Sequence, residues 1–317
     1  VTARLTYSLE GSAIHVNAPR EAHMNDRSAP ATILVVFGAT GDLMARKIAP
    51  SLLHLDRQGL LHPRLRVIGL SRRPWSDADF RNRVRETLTE RYEDPGPLEA
   101  FLERFTYRRG TFEDAIAYHE LAEGIGGIAT DWGGCVDKLF YLAVPPDNYE
   151  TILGNLAASG LTSVCNAETG YTRVLIEKPF GHDVASSKAL DELLASLFTE
   201  EQIYRIDHYL AKEMLQGILA FRFHNDLLES AWNRAGIERI DISLLETIGV
   251  EKRGRFYDGV GALRDVGQNH LLQMLALVTM DQPRTLDAND IRAARASLLE
   301  TLRPLLPHEV ARSSYRA

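Results

Sequence analysis

Cysteine is scarce: the 317-residue chain has two, Cys135 and Cys165. That count suggests neither a disulfide framework nor a zinc site, and it reads as a reducing, cytoplasmic compartment. Long apolar runs are missing. None reaches the roughly 20 residues needed to cross a bilayer, and the first residues lack the continuous apolar core of a signal peptide. An excess of positive charge is missing too. Lys and Arg total 36 against 43 Asp and Glu, a formal net charge of -7. This excludes a nonspecific nucleic-acid binder but leaves room for a local basic site that takes a small anion. Internal repeats and low-complexity tracts do not occur. What is there is ordinary soluble composition, 45% hydrophobic and 25% charged, in a chain long enough for two domains.

Residues 1–30 are mixed and polar without a clear period. They read as a disordered or read-through tail, with Met24 as a natural start. Residues 31–203 then alternate short apolar runs with helical spacing. "ATILVVFGATGDLMARKIAPSLLHLDRQGLL" is strand, tight turn and helix. "LRVIGLSRRPW", "TYRRGTF", "DKLFYLAVPP" and "TRVLIEKPFG" supply further strands. That alternation predicts an α/β fold with a doubly wound parallel sheet. From residue 204 to 317 the pattern changes. Residues 207–224 read as a helix, 237–246 as a strand, 261–281 as a long helix and 287–305 as a charged amphipathic helix. One strand cannot make a sheet, so this second domain reads as an incomplete α+β unit.

The first turn, "GATGDL", is a G-x-x-G variant of a nucleotide-binding turn. Alone it is a weak signal, and the plain alternative is a tight strand–helix connection that binds nothing. Glycines there let backbone N–H groups approach a pyrophosphate at a helix N-terminus. Ser71, Arg72 and Arg73 end the next strand, where an NAD site usually has an acidic residue. Arginine suits a 2′-phosphate, so NADP is favoured over NAD. Lys178 in "LIEKPFG" sits at the carboxyl end of a strand, where ligands bind in open α/β sheets; the plain alternative is a surface ion pair. His208 and Lys212 in "DHYLAKE" are four apart, so on a helix they share a face and could clamp a phosphate. Asp265 and His270 open a strongly apolar helix, where a lone His is more often a cap or a satisfied core residue.

Together these segments resemble the glucose-6-phosphate dehydrogenase family. "FGATGDLMARKIAPSLLHL", "LFYLAVPP", "LIEKPFGHD", "QIYRIDHYLAKEMLQ", "RFHNDLLESAWNR" and "FYDGVGALRDVGQNHLLQMLALVTMDQP" follow in family order from about Thr32 to Pro283. The resemblance implies a Rossmann-like domain with NADP at Gly38, Ala39, Thr40, Gly41, Asp42, Leu43, Met44 and Ala45, together with Arg72 and Lys178. It implies that Lys178 lies near both coenzyme and substrate. His208, Tyr209 and Lys212 would hold the 6-phosphate of glucose 6-phosphate, and Glu246 and Asp265 would contact sugar hydroxyls. His270 would be the catalytic base, supported by Asp207. The implied reaction is oxidation of the sugar C1 hydroxyl to the 6-phosphogluconolactone, the first step of the oxidative pentose phosphate pathway. An imidazole suits the proton removal, and a carboxylate beside it fixes its tautomer.

The chain departs from the family pattern in places. Ala211 stands where family members usually have Gly, and Gly254–Arg255 where they have a Gly-Gly pair. The family's second domain continues into a large antiparallel sheet that usually forms the homo-oligomer interface. Here that sheet and interface are expected to be missing, through a fragment or a shortened homologue. The rival expectations are another NAD(P)-dependent sugar oxidoreductase and a catalytically dead binder of nucleotide or sugar phosphate.

Overall fold

The apolar run "TILVVF" forms β1 (Thr32–Phe37), buried at five of its six residues. β-branched residues covered on both faces give a central parallel strand. The computed structural model describes residues 31–165, 170–181, 183–243, 254–304, 306 and 308. The tail expected at 1–30 and Glu246 lie outside these. The chain divides into two units between Ile206 and Asp207.

The first unit holds one six-stranded sheet. β2 (Leu65–Ser71) and β3 (Phe105–Arg109) lie on one side of β1. β4 (Asp137–Leu142), β5 (Thr172–Glu177) and β6 (Ile203–Ile206) lie on the other. All pair in parallel, in the order β3-β2-β1-β4-β5-β6. That is a doubly wound, Rossmann-like sheet, as expected, and its strand order reverses at β1, where such sheets bind ligands. Phe37 is in register with both Leu70 and Leu142, so three strands end flush around the turn that follows β1.

Side-chain alternation builds two cores. Ile33, Val35 and Phe37 face the one packed by α4 (Ala115–Asp131), α5 (Tyr149–Ala158) and α6 (Val184–Leu197). Leu34 and Val36 face the one packed by α1 (Ala49–Arg57), α2 (Asp77–Arg91) and α3 (Glu99–Leu102). Each fully buried Ile, Leu or Phe contributes roughly 1.5–3 kcal/mol. Ser76 and Asp79 form a reciprocal cap at the start of α2, and Asp183 and Ser186 do so at α6. β5 alternates buried and half-buried residues, so only one of its faces is fully covered.

The second unit is helical among its described residues. It contains α7 (Glu213–Phe223), α8 (Asp226–Glu229), α9 (Gly254–Ala262), a π-helical segment Leu263–Leu271, α10 (Leu272–Thr279) and α11 (Ala288–Glu300). Leu215, Phe223, Met274, Leu277 and Met280 make its small core. Arg222 is buried and uses all five of its N–H donors. They reach Glu229 Oε2 (3.1 Å) and Oε1 (2.7 Å) and the carbonyls of Leu277 (3.0 Å), Val278 (3.0 Å) and Met280 (2.8 Å). The guanidinium thus satisfies carbonyls that the end of α10 leaves unpaired.

Four expectations are corrected. Residues 237–243 form no strand, and 244–246 lie outside the described residues. The chain at 207–212 is not helical: β6 runs to Ile206, turns follow, and α7 starts at Glu213. Asp207 causes this. Its Oδ1 accepts the Tyr209 N–H at 3.0 Å, an Asx turn that competes with the helix. His208 and Lys212 therefore do not share a helical face. The long helix expected at 261–281 is helical from Leu263 to Thr279, but its first half, Leu263–Leu271, is π-helical, and Gly261 at φ 72° kinks the chain where it begins. Finally, Cys135 and Cys165 are joined in a disulfide, with Cα atoms 5.8 Å apart. Residue counting misses it because pairing of β4 with the chain before β5 brings the two together, through Lys138 N–H to Tyr171 C=O (2.7 Å) and Cys165 N–H to Gly170 C=O (3.1 Å). The cysteines thus lose their force as an argument for a reducing compartment. No helix among the described residues is long and apolar enough to cross a membrane.

Candidate functional site

The turn after β1 carries the first group of expected residues. Gly38 has φ 78°, and a Cβ there would stand 2.5 Å from the Ala143 carbonyl oxygen at the end of β4. Only glycine fits. Gly41 closes the turn by donating its N–H to Gly38 C=O at 2.9 Å. Ala39 and Met44 are buried, Thr40, Leu43 and Ala45 half-buried, and Gly41 and Asp42 exposed. The helix that follows opens with a π-helical turn, Met44–Ile48, before α1. The Ala45 N–H donates to the Gly41 carbonyl at 3.3 Å, so the helical ladder begins inside the turn.

The end of β2 is tied to this turn. Thr40 Oγ1 and Ser71 Oγ are 2.8 Å apart. The Tyr107 hydroxyl lies within hydrogen-bonding distance of the Ser71 (2.9 Å) and Arg73 (2.8 Å) carbonyls, which fixes the backbone on both sides of Arg72. Burial pushes the Tyr107 hydroxyl up, so it stays a donor. Arg72 is exposed, while Arg73 lies over the Trp75 ring at 5.3 Å. Reading the sequence did not find Tyr107; a tyrosine in a β-strand carries no signal of its own.

Lys178 follows β5 directly, is half-buried, and precedes Pro179 through a cis peptide bond. Two tyrosines hold the residue before it. Tyr141 donates to Glu177 Oε1 at 2.5 Å, and Tyr149 to the Glu177 carbonyl at 3.1 Å. Burial pushes the Tyr149 hydroxyl up to about 12. Burial raises Tyr141 as well, with the Glu177 carboxylate adding to it. Both remain protonated donors, so the end of β5 is held at any physiological pH.

The second unit gathers the other group. His270 Nδ1 stands 2.8 Å from Asp207 Oδ1, with the His270 side chain 2% exposed and that of Asp207 11%. The Tyr209 ring stacks on His270 at 3.9 Å and 26°, and His208 meets it edge-on at 5.0 Å. Lys212 Nζ lies 3.7 Å above the Tyr209 ring. The turns at 207–212 thus bring Asp207, His208, Tyr209 and Lys212 around one imidazole. Asp265 is buried on the same π-helical segment as His270, five residues earlier. π-Helical turns are frequent at functional sites, and sequence periodicity cannot reveal one.

Asp207, His208 and His270 bring ligand-type atoms within 4.8 Å of one another. Two cations lie near them. Lys212 is one. The other is Arg295 of α11, whose guanidinium burial pushes down while the Asp207 carboxylate pushes it back up. The surroundings therefore favour an anion over a metal cation. Chemically, the cluster can orient an imidazole for proton transfer with a carboxylate behind it, and hold an anion at the exposed His208 and Lys212.

Comparison with known proteins is consistent across the chain. Residues 35–217 match the family described as "Glucose-6-phosphate dehydrogenase, NAD binding domain", and residues 219–317 match "Glucose-6-phosphate dehydrogenase, C-terminal domain". A Glucose-6-phosphate 1-dehydrogenase of Bacillus subtilis is 39% identical over 90% of this chain and 58% of its own length. That of Saccharomyces cerevisiae is 38% identical over 90% and 56%. Among solved structures, "Glucose-6-phosphate dehydrogenase in complex with its substrate glucose-6-phosphate" superposes with a TM-score of 0.78 at 36% identity, over 87% of this chain and 57% of that one. The Mycobacterium avium enzyme does so at 0.79 and 37%, over 91% and 61%. The chain thus spans little more than half the length of the relatives it matches.

Proposed function

The chain belongs to the glucose-6-phosphate dehydrogenase family, and on that footing we propose that it oxidises D-glucose 6-phosphate at C1 to the 6-phosphogluconolactone with NADP+ as acceptor. The observation that carries this reading is the contact between His270 and Asp207, with Tyr209, His208 and Lys212 around it. Asp207 holds the Nδ1 side of the ring, which leaves Nε2 to take a proton from a hydroxyl. Lys212 and His208 bind the phosphate dianion, and Asp265 engages a sugar hydroxyl. Glu246, outside the described residues, is assigned the same task from the sequence.

The first unit fits a dinucleotide. Gly38 lets the turn pack directly against the Ala143 carbonyl, and Tyr107 bonds the backbone on either side of the exposed Arg72. Bound NADP+ supplies the hydride acceptor. The chain's own part is to position the pyrophosphate at Gly38–Ala45, to read the 2′-phosphate with Arg72, and to present Lys178 at the end of β5.

The test follows nicotinamide absorbance with glucose 6-phosphate and NADP+, repeated with glucose and with NAD+. Turnover confined to the phosphorylated sugar is expected. Turnover with unphosphorylated sugars alone would favour a different sugar oxidoreductase, and calorimetric binding without turnover a dead binder. His270→Asn is expected to lose about 100- to 10,000-fold in turnover while keeping sugar-phosphate binding. An unchanged rate constant would remove His270 from the mechanism.

A further inference from the structure

We propose that Arg83, on α2, is a second coenzyme-specificity residue, a guanidinium that binds the 2′-phosphate of the coenzyme's adenosine beside Arg72. This rests on the coenzyme reading above. A cleft beside the β1 turn is lined by Thr40, Gly41 and Asp42 on one side and by Phe80, Arg83 and Thr87 of α2 on the other. The far wall is fixed. Phe80 is 1% exposed and packs over Gly69 of β2, where a Cβ would stand 2.7 Å from the ring. Arg83 follows Phe80 by three residues, so the two are neighbours on the helix surface.

The near wall is fixed as well, because Thr40 is bonded to Ser71, the residue before Arg72. The cleft thus lies between the turn and α2, with one wall tied to the end of β2 through that bond. Arg73 is turned onto Trp75. Asp42 puts a carboxylate on the cleft, and Arg83 is the cation of its lining. Its pair with Glu86, at 3.3 Å, is a solvent-exposed i,i+3 contact with side chains 48% and 62% exposed. Such pairs are weak, and a phosphate monoester matches the guanidinium fork better.

Calorimetric titration of the whole chain with 2′,5′-ADP and with 5′-ADP tests this without any turnover. The wild type should bind 2′,5′-ADP more tightly. Arg83→Gln should weaken 2′,5′-ADP about tenfold, the loss of one charge-assisted contact, and leave 5′-ADP within about twofold. Unchanged binding of both, or equal weakening of both, overturns the role of Arg83. A wild type that binds neither nucleotide overturns the coenzyme reading itself, and the proposal with it. Retained 5′-ADP binding also shows that the variant is folded.

Discussion

His270 and Asp207 are 63 positions apart in the chain and 2.8 Å apart in the fold. The sequence named both, through a motif resemblance, but no periodicity joins them. What joins them is a turn that residue spacing could not show, since Asp207 caps its own Tyr209 N–H with the same Oδ1 that meets His270. One oxygen thus serves the backbone and the ring. Asp207→Asn retains an oxygen of similar shape but can present its amide N–H to the imidazole, favouring the wrong tautomer. Turnover is expected to fall about 100- to 10,000-fold, with affinity for glucose 6-phosphate and the melting temperature little changed. Steady-state kinetics beside calorimetry checks it. A loss of turnover that merely tracked a loss of folded protein would deny the orienting role.

At the scale of elements, what was legible followed apolar β-branched runs. β1, β2 and β5 each show one, and β4 shows an apolar run of Leu and aromatic residues instead. α4 was missed because its second half, "EGIGGIATD", carries Gly124, Gly126 and Gly127, residues of poor helix propensity; burial of Tyr118, Leu121 and Ile125 overrides them. β6 was missed because four residues ending against "DHYLAKE" look like the start of a helix. Arg222 was also overlooked, since a charge in an amphipathic helix reads as solvated. Removing it would take the guanidinium from Glu229 and from the Leu277 and Met280 carbonyls, while Val278 C=O keeps the Trp232 Nε1–H at 2.8 Å. Arg222→Met is therefore expected to destabilise the helical unit by about 3–5 kcal/mol, measured by urea unfolding or by faster amide exchange in α10. Arg222→Lys should recover only part, because an ammonium has three donors for five acceptor contacts.

At the scale of the molecule, the Cys135–Cys165 bridge spans a sequence separation of 30. Closing such a loop stabilises by about 3.7 kcal/mol through the unfolded chain. Adding a strong reductant is expected to lower the melting temperature of the sheet unit by about 7–15 °C. A scanning calorimetry trace unmoved by reductant would mean that the thiols are apart in solution. The bridge also changes what kind of object the polymer is. Between the two half-cystines the chain is a closed ring, and that ring contains all of β4, Ala143 against which Gly38 turns, and both tyrosines that hold Glu177. A single cut anywhere in the ring leaves one covalent molecule, whereas the same cut elsewhere makes two pieces. The supports of the β1 turn and of the end of β5 are thus topologically insured against scission, and reduction cancels that insurance.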